Sequence, residues 1–231
     1  MAKINFFAEY HEIHSFPHPQ PAAKFIPNYF KELPQQLTDN PEDGSVKRCV
    51  PFLDALTNGF IIPLWAECRI VADDSGIKLQ FPRDLDRDES LGTHSYQQIK
   101  GHPLSRTKFG KIPLKWINPW GIQTPRGYSC LFTSPLNHME DRFKILDGIV
   151  DTDNYYNHVN FPFIWTGGEG EYTLPVGTPI VQVIPFKRDT WKADVVETDQ
   201  MKLSVVTSKL GTVLKHGYRK FYWSKKQENK T

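Results

Sequence analysis

In the segment ILDGIVDTDNYYNHVNFPFIW (residues 145–165), Asp151, Asp153, Tyr155 and Tyr156 stand between two apolar runs that both read as strands. A plain hairpin turn needs Gly or Asn, not two acids and two aromatic rings. A carboxylate held at the end of a strand can accept the proton of a water hydrogen-bonded at about 2.6–3.2 Å. The same residues also suit a purely structural bend, because Asp and Asn close turns through their own side-chain hydrogen bonds and tyrosines can cap a sheet edge. Both readings stand, a ligand pocket and an ordinary turn.

Other residues capable of chemistry are placed less suggestively. His11, His14 and His18 lie in HEIHSFPHP. On a strand, positions 11 and 14 face opposite sides and do not chelate together, so an arm with incidental histidines is expected. His94 and His102 have no partner at ligand spacing. Cys49, Cys68 and Cys130 form no CxxC pair, so no metal site is expected, and a reducing compartment fits them better than secretion. Ser129, Cys130 and Ser134 lack the glycine elbow of a nucleophilic hydrolase. Neither GxxxxGK[ST] nor GxGxxG occurs.

The composition sets the frame for these residues. The 231 residues are 39% hydrophobic and 23% charged, which suits a chain that buries a core. The 18 prolines outnumber the 15 glycines and aromatics reach 13%, a mixture that favours short strands and stiff loops over long helices. A net charge of +2 argues against a general nucleic-acid coat. The charge is nevertheless uneven: Asp73, Asp74, Asp84, Asp86, Asp88 and Glu89 make one stretch acidic, and Lys215 to Thr231 holds six Lys/Arg against one Glu. The basic tail around Arg219, Lys220, Phe221, Tyr222, Trp223, Lys225 and Lys226 could grip an acidic partner or single-stranded nucleic acid. The reading preferred for it is a helix whose aromatic side packs on the body while its lysines stay wet. No run approaches the ~20 apolar residues of a membrane span and no apolar signal core opens the chain, so a soluble cytoplasmic protein without a membrane partner is expected.

Three parts follow. Residues 1–48 form an N-terminal strand, KINFFAEY, and a proline-punctuated arm glued down by Phe25, Ile26, Tyr29 and Phe30. Residues 49–192 form the core. In it FLDALTNG predicts a short helix closed by Asn58-Gly59, and FIIPLWAECRIVADD a strand with IKLQFP as its hairpin partner. IPLKWINPWGIQTPRGYSCLFTSPL predicts two strands around a Gln123-Thr124-Pro125-Arg126-Gly127 turn. FKILDGIV, VNFPFIW and EYTLPVGTPIVQVIPFKR complete the series. Residues 193–231 predict a C-terminal helix and basic tail, with Leu203, Val206, Leu210, Val213 and Leu214 on one face and Thr198 or Asp199 as cap. The fold class is mainly β, a sandwich or barrel of short strands.

The order TPRGYSCLFTSPLN, DGIVDTDNYY, LPVGTPIVQVIPFK resembles the ordered motifs of the dUTPase and dCTP deaminase superfamily, the β-clip fold. Gly148, Ile149, Val150, Asp151, Asp153 and Tyr155 match its first pattern, and Gly177, Ile180 and Gln182 its second, over about residues 112–188. The chain as a whole is similar to an uncharacterised family of tailed phages and some bacteria, which would place it in a host cytoplasm.

The β-clip resemblance implies that Asp151 is the water-holding catalytic base and that Tyr155 or Tyr156 is the sugar platform. Asp153, Asn137 and Gln182 would then line a small nucleotide-like site, with Mg²⁺ entering only on a bound nucleotide phosphate. It also implies a homotrimer. The sequence departs from the pattern where phosphate is held: Pro135-Leu136-Asn137-His138 replaces the arginine-serine-glycine motif, and the tail is almost glycine-free. Phosphoryl chemistry depends on positioning and charge neutralisation, so ordinary dUTP hydrolysis is not expected. The alternative is a non-enzymatic phage interaction or assembly protein that keeps only the scaffold.

Overall fold

The computed structural model describes residues 2–40, 43–82, 91–213 and 216–224. The predicted acids Asp84, Asp86, Asp88 and Glu89, the stripe residue Leu214 and the tail lysines Lys225 and Lys226 lie outside the described residues.

The N-terminal part contributes strand β1 (Asn5–Phe7), helix α1 (Tyr10–Ser15), strand β2 (Gln20–Pro21) and helix α2 (Asn28–Glu32). Helix α3 (Val50–Thr57) leads into β3 (Phe60–Pro63), β4 (Cys68–Asp73), β5 (Gly76–Gln80) and β6 (Leu91–Thr93). The central strands are β7 (Leu114–Trp116), β8 (Gly121–Gln123), β9 (Tyr128–Thr133), β10 (Phe143–Ile145) and β11 (Gly148–Val150). Then come β12 (Phe161–Trp165), β13 (Gly170–Leu174) and β14 (Pro179–Lys187), and last the helices α4 (Gln200–Gly211) and α5 (Gly217–Phe221).

The protein is mainly β. All pairings among the described strands are antiparallel, in four sheets ordered β1-β8, β10-β12-β7-β6, β11-β9-β14-β3-β2 and β13-β4-β5. β14 is the long central strand of the five-stranded sheet. Its Pro185 stands past Val183, the last residue paired with β3, where one side of the strand is an edge and the missing N–H costs no ladder bond.

Three sequence readings need correction. FIIPLWAECRIVADD is two strands, because Leu64 leaves the ladder: its N–H donates to the Thr178 carbonyl at 2.7 Å and its carbonyl accepts from Gly177 N at 2.8 Å. β3 and β4 consequently enter different sheets. The run from Ile112 to Leu136 is three strands, because buried Asn118 turns the corner, donating through Nδ2 to the Trp120 and Val159 carbonyls at 2.5 and 3.2 Å. FKILDGIV divides into β10 and β11, which also lie in separate sheets. His11 and His14 sit on helix α1 and not on a strand; among the described residues no group of three His, Cys, Asp or Glu is placed to hold a metal ion.

Other local readings match. Asn58 caps α3, and Gly59 takes φ +68°, a left-handed conformation that a Cβ would strain. A Cβ there would also lie 2.1 Å from the Val183 carbonyl oxygen, so α3 and β14 meet in a space that glycine alone fits. In the arm, Phe30 is buried and stacks on Phe52 of α3 at 5.8 Å.

The core is aromatic. Trp116 on β7 stacks on Phe163 of β12 at 4.5 Å and meets Phe143 of β10 edge-on at 6.0 Å and Trp65 at 6.3 Å. Such offset and edge-to-face contacts add about 0.5–1.5 kcal/mol each beyond area burial. No described helix is long and apolar enough to cross a membrane.

Candidate functional site

The Thr124–Gly127 turn joins β8 to β9, with Tyr128 N–H closing on the Pro125 carbonyl at 3.2 Å. Gly127 takes φ +86° there, which frees its N–H to point away from the turn. That N–H donates to Asp153 Oδ2 at 2.8 Å. The acidic bend therefore sits against this turn, and alternation along it sorts the side chains. Thr152 points inward, fully buried, sharing a hydrogen bond with Thr124 Oγ1 at 2.7 Å and donating to Cys130 Sγ at 3.4 Å. Asp151 and Asp153 flank it.

Arg188, one residue past β14, closes the arrangement. Its guanidinium grips Asp153 in a two-pronged pair, Nη1 to Oδ1 at 2.8 Å and Nη2 to Oδ2 at 2.5 Å. This is the bidentate geometry in which an arginine–carboxylate pair is strongest. Nη1 also donates to the Tyr128 carbonyl at 3.1 Å and to Ser129 Oγ at 3.0 Å, and lies 3.2 Å from Asp151 Oδ1. Buried Ser129 in turn donates its hydroxyl to Asp151 Oδ1 at 2.6 Å. The Arg188 N–H completes the closure by donating to the Gly127 carbonyl at 2.8 Å.

The two acids are thereby made unequal. The Asp153 side chain is 2% exposed, whereas that of Asp151 is 60% exposed. The Arg188 guanidinium, followed by the Gly127 N–H, holds the Asp153 carboxyl down at about 2. Asp151 keeps an open side facing solvent. Two carboxylates against one guanidinium leave the cluster with one formal negative charge.

The remaining predicted residues lie elsewhere. Gln182 is fully buried on β14, paired with Thr133 at the far end of β9 from Ser129. Four residue steps separate those ends, about 13 Å at ~3.3 Å per residue. The Gln182 amide is fully engaged within the chain: Oε1 accepts from Leu136 N at 2.7 Å, and Nε2 donates to the Ala55 and Asn58 carbonyls at 3.0 and 2.7 Å. Asn137 belongs to this second group, with φ +58°, its carbonyl accepting from the Tyr29 hydroxyl and its Nδ2 donating to Phe52 at 3.4 Å. Gln182 and Asn137 thus bind α2, α3 and β14 together, and the structure does not bring them to Asp151.

Of the tyrosines, Tyr155 is exposed, its hydroxyl accepting from Asn157 Nδ2 at 3.2 Å. Tyr156 stacks on Phe7 of β1 at 4.1 Å with planes 8° apart, which fastens the N-terminal strand. Arg188, Ser129, Gly127 and Thr152 were missed as members of this cluster. No local signal marked them, since Arg188 lies 35 positions beyond Asp153 and Lys144 and Arg142 are nearer in sequence. The expected packing of the tail is also corrected: Tyr218, Phe221 and Tyr222 are exposed, and the Trp223 indole docks alone among them, donating to Asp54 of α3 at 3.0 Å.

No family model matches the chain, and no curated protein matches it. Among the 15 chains of solved structures that match is the native EIAV dUTPase. It is 14% identical over 61% of this chain and 84% of that one, with a TM-score of 0.33. The likeness is distant and transfers no residue correspondence.

Proposed function

We propose that this chain is a non-enzymatic interaction or assembly protein built on a β-clip core, in which the DTDNYY bend is a fastener and not a reaction centre. The observation that supports this best is the pairing of Asp153 with Arg188 and the Gly127 N–H, which leaves that carboxylate no free face. The internal engagement of Gln182 and its distance from Asp151 point the same way. So does charge: a cluster with a net negative charge repels a triphosphate, whose chemistry requires cations to neutralise it. The β-clip assignment and the phage setting rest on the sequence motifs.

One observation favours a second reading, a nucleotide-like ligand held by Asp151 and Tyr155 with Mg²⁺ carried on its phosphates. The Asp151 carboxylate is exposed and already oriented by Ser129. A thermal-shift assay of the full chain against dUTP, dCTP and UTP with Mg²⁺ separates the two. A ligand at 100 times its Kd stabilises by about 2.7 kcal/mol. The expected result is no rise in Tm with any of them. A rise that Asp151→Asn abolishes while leaving the unliganded Tm unchanged would replace the proposal with the second reading.

A further inference from the structure

Beyond Arg188 the chain changes character. Among the described residues, none from 188 to 224 is buried. No backbone hydrogen bond joins residues 189–198 to the rest of the described chain. Yet this arm is not polar: Trp191, Val195, Val196, Met201, Leu203 and Val205 are all exposed, Trp191 at 88% and Met201 at 79%. Apolar side chains at this density are normally covered, because large contiguous apolar patches on a lone chain mark association.

The arm is also charge-divided. Its leader, residues 189–199, carries Asp189, Asp194, Glu197 and Asp199 against Lys192. Residues 200–224 carry Lys202, Lys209, Lys215, Arg219 and Lys220 and no acid. Two arms laid antiparallel about the middle of α4 set the acidic leader of each against the basic α5 of the other, while the apolar positions of α4 meet at the centre. Such a contact is self-complementary, the property a two-fold interface requires. Its size is adequate: α4 is about 18 Å long at ~1.5 Å per residue. Residues 189–224 also exceed the roughly 20–30 residues that each side of a standard interface uses.

We propose that the arm is a homodimerisation element that pairs antiparallel with the arm of a second copy of this chain. The proposal is independent of whether the body binds a nucleotide. It predicts two-fold association, in contrast to the trimer that the sequence resemblance implies.

Sedimentation equilibrium of the full chain over about 1–100 μM tests it, a range that spans ordinary dimer affinities. The expected species is a dimer. Leu203→Glu is expected to raise its dissociation constant at least about tenfold without changing the melting of the body in dilute protein. Arg219→Glu with Lys220→Glu, on the helix that this pairing sets opposite the partner's leader, is expected to weaken it likewise. Adding Asp194→Lys and Glu197→Lys to that chain is expected to restore it. A monomer throughout the range, a trimer, or a dimer indifferent to Leu203→Glu overturns the proposal. Failure of the charge reversal to restore association overturns arm-to-arm pairing in favour of an arm seated on the partner's body.

Discussion

The body of this protein and its arm are joined at Arg188 and obey opposite rules. In the body, rings are packed and amides and charges are paired: Trp116 lies among the rings of Phe143, Phe163 and Trp65, Gln182 makes three internal hydrogen bonds, and Asp153 is gripped on both oxygens. In the arm, a tryptophan, three valines, two leucines and a methionine are exposed. The contrast teaches that apolar content does not by itself make a core. Burial requires a facing surface, and the five-stranded sheet supplies one where the arm has none of its own.

Substitutions across the boundary should therefore differ in scale. Trp116→Ala is expected to be the most damaging, at about 3–5 kcal/mol, since the cavity left among fixed rings cannot collapse. In a chain this long each kcal/mol lowers Tm by roughly 2–4 °C, so calorimetry should read a fall of about 6–20 °C. A smaller fall would mean that the aromatic cluster is looser than its stacking distances imply. Gln182→Leu comes next, at about 2–3 kcal/mol, because it keeps the volume but leaves Leu136 N–H and two carbonyls without a partner. If denaturant unfolding finds this variant as stable as the parent, the second group is not the fastener its hydrogen bonds suggest.

Arg188→Ala probes the boundary itself through pH. The Asp153 carboxyl is held at about 2 in the folded chain, below the ~3.9 of an unfolded aspartate. A depressed carboxylate contributes stability that is fully present above the unfolded value and is lost as pH falls through the folded one. The parent should thus melt above the variant at all pH values above about 4, and the gap should close between about 4 and 2. A gap that persists unchanged at pH 2 would show that Arg188 acts through its stem or its hydrogen bonds to the Tyr128 carbonyl and Ser129 Oγ, and not through Asp153. At the small end, Trp191→Ala in dilute protein should move the transition of the body by less than about 0.5 kcal/mol, the range of surface changes. A larger loss would place the arm within the cooperative unit and weaken the contrast.

Much of the local structure was legible in the sequence, and the reasons are short-range. The Thr124–Gly127 turn, the Asn58-Gly59 cap and the Asp199 cap, whose carboxylate accepts from Lys202 N at 3.0 Å, each follow from residues within four positions of one another. Changes of sheet were not legible. FKILDGIV carries an apolar pattern continuous enough for one strand, and only the three-dimensional placement of Leu146 and Asp147 separates β10 from β11. The site was half legible for the same reason. Asp151 and Asp153 announce themselves by type, but Arg188 lies 35 positions from Asp153 and no local rule joins them. Gln182 carried a motif likeness that suggested a ligand contact, while its neighbours Ala55 and Asn58 lie more than 120 positions away. Of the expected stripe, Leu203, Val206 and Leu210 lie on α4, whereas Val213 falls past its end at Gly211, and what covers the helix is not encoded in the stripe.

The Trp223–Asp54 contact makes the arm a closed ring, rooted at Arg188 and fastened again on α3. A protease that cuts once between Asp189 and Asp199 therefore leaves the piece tied to its own body, among the described residues, by that contact alone, and a hydrogen bond to a charged group, worth about 1.5–3 kcal/mol, does not hold it in dilute protein. The nicked protein should run as two bands under denaturing electrophoresis and shed the piece on native elution at low concentration.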